Sequence, residues 1–236
     1  MSISTPPKKK SSCGCFGCGC FFVIIVLLVA GMVGGLGYFG YKGALEYTTT
    51  VPKNLPAFTP TDAAYSSTQQ KISQFQQAAD DQHPAAIRLN SDEINTLISH
   101  APEMAKKGIQ TYVTMTGSEG RIQVTAPTDA MAPGILPGRY LNFDVTFGLT
   151  FDQPNKMVIL TPKALKIGAK TILDENSEAS QAAFNSSFNK AFMNSFAPAF
   201  NQSFNQGLRK NPDVAKFLDH AKSIEIKDSE LVIETQ

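Results

Sequence analysis

Tryptophan is absent from the chain, histidine occurs three times (His83, His100 and His220), and no cysteine lies beyond Cys20. The large C-terminal part therefore holds no disulfide and no thiol nucleophile. It also lacks GxSxG, HExxH and any phosphate-binding glycine loop. Acidic residues are missing from positions 1–44, which carry Lys8, Lys9, Lys10 and Lys42. Taking those four from 21 basic residues leaves 17 against 20 acidic, a net of −3 for the rest. Phosphate backbones need a clustered basic face, so nucleic acid is excluded as a partner. The best carboxylate–imidazole grouping is Asp80 and Asp81 with His83, at a helix end ahead of Pro84 where solvated polar residues are ordinary. His100 and His220 fit helix C-termini, where a cation is favoured. No constellation meets the nucleophile–base criteria. The expectation is a protein that is not an enzyme and carries no cofactor.

What is present begins with an uncharged apolar run. Residues 21–41 read FFVIIVLLVAGMVGGLGYFGY. As a helix this run is about 31 Å long, close to the roughly 30 Å of a hydrocarbon core. Phe21 and Phe22 mark one edge, and Tyr38, Phe39 and Tyr41 the other, as interfacial aromatics do. A cleaved signal peptide would have a shorter apolar core. Met32 stands where a lipoprotein site after Leu28-Val29-Ala30-Gly31 would need cysteine. The run is read as an uncleaved signal-anchor of the plasma (inner) membrane. With Lys8, Lys9 and Lys10 before it and Lys42 alone after it, the N-terminus is cytoplasmic and the C-terminal domain outside. Gly31 and Gly35 form a GxxxG pair, a route to self-association set against a plain glycine-rich anchor.

Cys13, Cys15, Cys18 and Cys20 precede the run as CGCFGCGC. Four thiolates suit tetrahedral zinc, but this spacing lacks separated CxxC pairs. S-acylation beside a membrane and a reduced small-residue collar are the other readings.

Beyond the run, Pro52, Pro56 and Pro60 give residues 45–66 the character of an extended tether, and 67–82 carries Ile72, Phe75 and Ala79 at helical spacing. Ala85 to Leu89 reads as a strand, and Asn90 with Glu93 has capping-box spacing before Ile94, Leu97 and Ile98. Residues 109–126 read as a hairpin around Gly117-Ser118-Glu119-Gly120. The clearest strand is 140–151. It sets Leu141, Phe143, Val145, Phe147, Leu149 and Phe151 on one face and Asn142, Asp144, Thr146, Gly148 and Thr150 on a solvated one. Met157–Leu160 and Leu165–Gly168 return, with Pro162 marking an edge or a break. The chain then turns helical to about residue 221 and closes in a hairpin, Ile224–Ile226 and Leu231–Ile233.

Residues 184–208 place Phe184, Phe188, Phe192, Phe196, Phe200 and Phe204 at every fourth position, with Leu208 closing the series. Each step of four advances a helical side chain by about 40°, so one straight helix would carry the stripe around by about 200°. Pro198 breaks or kinks the helix near Ala197 and divides the stripe into two arcs. Lys190 is the single charge between Glu178 and Arg209. Three readings of the rings are open: a core face on the 140–151 strand, one wall of a groove for a lipid or other hydrophobic ligand, and a surface resting on the membrane.

The stretches IRLNSDEINTLI, LKIGAKTI and SIEIKDSELVIE, set in this order of strand, helix, sheet, helix and hairpin, resemble the YpmS-like family of small membrane-anchored extracytoplasmic bacterial proteins. The resemblance covers about residues 86–235, implies location and architecture, and carries over no functional residue. The expected organisation is a basic, Cys-rich cytoplasmic segment (1–20), a transmembrane helix (21–41), a tether with a short helix (42–82) and an extracytoplasmic domain (83–236). Its class is α+β: an antiparallel sheet packed with long Phe-rich helices. The expected function is a non-catalytic binding or scaffold module for a hydrophobic ligand, lipid or membrane-protein partner. The alternative is a cell-envelope hydrolase with an unrecognised site.

Overall fold

A computed structural model of the protein describes residues 45–131, 134, 136–174, 198, 201–210 and 212–236. Its strands are Thr48–Thr49 (β1), Ala86–Leu89 (β2), Gln110–Thr116 (β3), Glu119–Pro127 (β4), Tyr140–Asp152 (β5), Met157–Ile167 (β6), Lys170–Asp174 (β7), Ala221–Lys227 (β8) and Glu230–Thr235 (β9). The helices are Asp62–Asp80 (α1), Ser91–Ser99 (α2), Pro102–Lys106 (α3), Thr128–Met131 (α4), 201–209 (α5) and Pro212–His220 (α6). A six-stranded sheet runs β3-β4-β5-β6-β7, with β1 beside the start of β5. A three-stranded sheet runs β2-β9-β8 and packs on it through β8 and β5. Every strand pair is antiparallel.

Local chemistry accounts for most of these elements. Thr61 caps α1 by accepting from the Ala64 amide at 3.1 Å. Asn90 and Glu93 exchange both bonds of the capping box at 2.9 Å. The β3–β4 hairpin pairs Val113 with Ile122 and turns at Gly117 and Ser118. The β8–β9 hairpin turns through Asp228 and Ser229, whose φ of 55° and 66° is the left-handed pair a two-residue hairpin requires. Pro162 does not break β6. It pairs with Phe147, next to a register shift between Thr146 and Phe147, and an irregularity of this kind lets a sheet accept a proline.

The α+β expectation is corrected. Among the described residues the architecture is two antiparallel sheets with short helices, and no long Phe-rich helix lies on them. The apolar face of β5 is covered by β8 and the core residues around it, because a second sheet hides a whole pleated face while a helix covers a stripe. No helix among the described residues is long and apolar enough to cross a membrane. The run 21–41, the pair Gly31 and Gly35, and the cluster Cys13, Cys15, Cys18 and Cys20 lie outside the described residues.

The start of the polar face of β5 is not open to solvent as expected, whereas Thr150 near its end is exposed. Asn142 and Asp144 are each 8% exposed. The segment 50–61 crosses them as an extended strap. Lys53 donates its amide to Asn142 Oδ1 at 3.0 Å and its ammonium to Asp144 Oδ2 at 2.7 Å. Prolines suit such a strap because they remove donors that no strand would satisfy. Ile72 and Phe75 of α1 belong to the core. The packed unit therefore takes in residues from Thr48 onward rather than from His83.

Candidate functional site

The two sheets enclose a cavity of about 160 Å³. Its floor is Ile122, Phe147 and Leu149 of the large sheet, and its roof is Ile224, Ile226 and Leu231 of the small one. Helices α1, α5 and α6 close the remaining sides with Phe75, Phe204 and Phe217 among others. Among the described residues the lining contains no charged residue, and its one polar side chain is Gln76, half-buried on α1. The rings of Phe75 and Phe217 meet edge-on with centroids 5.8 Å apart, joining α1 to α6.

Gly120 forms part of the floor with bare backbone. A Cβ there would lie 2.7 Å from Phe147 Cζ and 2.9 Å from Ile226 Cδ1, so any side chain would displace a ring and a methyl that shape the cavity. Such a space offers no proton donor, base or nucleophile for chemistry on a guest. It offers dispersion contacts and exclusion of water. Apolar cavities near 150 Å³ stay dry and accept molecules of benzene size.

Of the phenylalanine series, Phe204 is within the described residues, and Phe184, Phe188, Phe192, Phe196 and Phe200 lie outside them. Phe204 is 1% exposed and lines the cavity with Leu208 one turn later. Pro198 is helical and exposed; the break expected near Ala197 falls outside the described residues.

The asparagines beside the rings have a role that the spacing of the rings alone does not reveal. Asn205 accepts from the Val158 amide at 2.8 Å and donates to the Val158 carbonyl at 2.8 Å. Asn201 does the same to Leu160, at 2.9 and 3.0 Å. Four residues on a helix rise about 6 Å and two on a strand about 6.8 Å, so successive turns of α5 meet alternate residues of β6. Among the described residues this end of β6 has no strand partner beyond β5, and the carboxamides satisfy outward N–H and C=O groups of Val158 and Leu160. Asn201 and Asn205 are thus hydrogen-bonding groups matched to a strand edge.

The opposite edge uses the same device. Asn95 of α2 exchanges both bonds with Val113 of β3 at 2.7 and 2.8 Å, and Ser91 accepts from Met115 at 2.8 Å. The signal in the sequence was a polar residue four positions from another on an apolar helix.

The hydrolase candidates do not converge. Among the described residues no three of His, Cys, Asp and Glu stand close enough to hold a metal. His83 is exposed, and Asp80 pairs with Lys216 at 2.6 Å. His100 bonds the Thr96 carbonyl through Nδ1 and stacks on Tyr65, with centroids 3.9 Å apart. His220 bonds the Lys216 carbonyl at 2.8 Å.

The strongest electrostatic feature is on the other face of the large sheet. Arg121 donates to both Asp144 oxygens at 2.8 and 2.7 Å, Gln123 adds a bond at 3.1 Å, and Lys53 completes the group. Burial pushes the Asp144 carboxyl up, but hydrogen bonds and charge from Arg121 and Lys53 outweigh it and hold the group well below the usual carboxylate range. Arg121 and Gln123 of β4 and Lys53 of the strap share the two oxygens of this carboxylate, an arrangement that fixes the strap to the sheet.

Compared with known proteins, the chain matches no family model, no curated protein and no solved structure.

Proposed function

We propose that this protein is a non-catalytic module, held at a membrane by residues 21–41 with its sheets on the non-cytoplasmic side, that binds a small apolar ligand or the end of an acyl chain between the two sheets. The observation that supports this reading is a cavity of about 160 Å³ whose lining, among the described residues, has no charge and a single amide, Gln76. Burial of apolar surface is the main attraction such a space offers, at roughly 25 cal/mol per Å². The 21-residue uncharged run and the lysines before it support the location.

The test uses the full chain and fluorobenzene as the probe. Fluorobenzene is expected to raise the unfolding midpoint of the wild type in a concentration-dependent way, because a ligand that binds only the folded state stabilises it by mass action. Val214→Phe and Leu218→Phe, two substitutions that fill the lining from α6, should remove that rise while the protein stays folded by circular dichroism. An unchanged wild-type midpoint, or equal rises in the filled variants, overturns the reading.

A further inference from the structure

The chain enters the packed unit at one end of the large sheet. There β4 finishes at Pro127 opposite Tyr140, where β5 begins, and β6 turns into β7 through Gly168 and Ala169. Leu45 is held at this end by Arg139, which donates to the Leu45 carbonyl at 3.0 Å and to the Thr48 carbonyl at 2.6 Å. β1 then runs outward, with Thr48 opposite Leu141 and Thr49 opposite Tyr140. The strap comes back over Asn142 and Asp144. Val51 sits at the reversal between them. It is 66% exposed, the one large apolar side chain left exposed among the described residues.

Length limits what can lie opposite this end. The apolar run finishes at Tyr41, four residue steps before Leu45. Four steps reach at most about 14 Å. A run that spans a membrane therefore holds this end of the sheet at or just above the lipid headgroups. Its charge suits that place. Lys106 and Lys107 belong to this end, because Gly108 beside them lies against Pro127, where a Cβ would be 3.3 Å from the proline Cγ. They are exposed, as are Lys166 and Lys170 around the β6–β7 turn, and Arg139 is half-buried. Lys42 lies in the link itself. Against these six basic residues stand three acidic ones, Glu46, Glu103 and Asp129, in a chain whose residues beyond 44 sum to −3. Glu46 is paired with Lys170.

We infer that this end of the large sheet rests on the membrane surface, with Val51 among the lipids and Lys107, Lys166 and their neighbours on anionic headgroups. The inference rests on residues 21–41 spanning the membrane. Burial of an apolar side chain and attraction of basic groups to anionic lipid add to one another at such a surface. The contact gives the sheets a fixed orientation, with the tip of the strap at the lipid and the β3–β4 turn at the far end. It does not depend on the cavity between the sheets being occupied.

The chain has no tryptophan, so Val51→Trp and Ser118→Trp each place a single reporter, one at the near end and one about 26 Å away along β4. The full chain carrying either change is reconstituted in vesicles of phosphatidylcholine brominated on its acyl chains, with and without phosphatidylglycerol. The reporter at position 51 is expected to be quenched by the brominated lipid, more strongly with phosphatidylglycerol and less at high salt, and the reporter at position 118 to be unaffected. Adding Lys107→Glu and Lys166→Glu, both at exposed positions, should weaken the contact about tenfold or more in the phosphatidylglycerol vesicles and little in the neutral ones. Alkaline carbonate extraction of the same vesicles reports separately on the span. Release of the chain by carbonate overturns the membrane reading and this inference with it. Retention without quenching at position 51 overturns this inference alone, and a blue-shifted but unquenched reporter there would mean that protein covers the tip instead. Equal quenching at both positions, or quenching indifferent to the two lysine changes, also overturns it.

Discussion

The first half of β5 is hidden from water on both faces, by opposite means. Phe143, Val145 and Phe147 on one face are sealed into the core against a second sheet and its flanking helices. Asn142 and Asp144 on the other are sealed by a strap whose bonds are polar and directional. The apolar face tolerates imperfect filling and leaves a cavity, because dispersion contacts are many and individually weak. The polar face requires a partner for every donor and acceptor, because each unpaired group costs on the order of 1–3 kcal/mol. Burial alone thus says little about which side binds a guest; the chemistry of the cover decides.

The comparison breaks most sharply at Phe204. Phe204→Ala removes a ring that is 1% exposed and enlarges the cavity it lines, with an expected loss of about 4 kcal/mol in urea unfolding. A loss of less than about 1 kcal/mol would mean that α5 does not seal the inner face in solution.

Next in size is Asn205→Ala, which deprives Val158 of its outward partner for both N–H and C=O. About 3 kcal/mol is expected, with faster amide exchange confined to the 157–160 end of β6. If exchange rises evenly across the sheet instead, the edge-sealing role of the carboxamides is wrong.

The smallest effect belongs to the outer face. Asp144→Asn should cost about 2 kcal/mol at neutral pH, less than a fully buried pair, because Arg121 and Lys53 are partly exposed and screened. Its dependence on pH sharpens the contrast. The folded-state pKa of Asp144 is lowered, so its contribution is fully present above the unfolded-state value of about 3.9. That contribution fades as pH falls below this value toward the lowered one. Urea midpoints at pH 6 and pH 3 should therefore drop more in the wild type than in Asp144→Asn. Phe204→Ala, on the apolar face, should follow the wild-type slope.

Much of the chain's local order was legible. The alternation in 140–151, the capping box at Asn90 and Glu93, and the turns at Gly117 and Asp228 are short-range signals that act within a few residues. The inward residues Val113, Met115, Ile122, Phe147 and Leu149, which floor the cavity, follow from that alternation. The roof does not. β2 pairs with β9 across the length of the domain, Ile87 opposite Ile233, and no local pattern specifies that partner. β7 follows the two-residue turn Gly168-Ala169 too closely for a turn signal in composition, and Pro162 read as a break because the irregularity that accommodates it involves the neighbouring strand.

The sequence by itself determined the periods: an uncharged run of membrane-spanning length, two-residue alternation in the strands, and a phenylalanine at every fourth position from Phe184 to Phe204. These depend on residue order alone, because pleat and helix geometry are properties of any backbone. What the periods face was decided by the tertiary structure. It laid Asn201 and Asn205 along β6, drove Phe204 into the gap between the sheets, and drew the proline-rich strap over Asp144. Those outcomes rest on contacts between residues distant in the chain, where complementarity of edge, cavity and charge, rather than local preference, selects the partner.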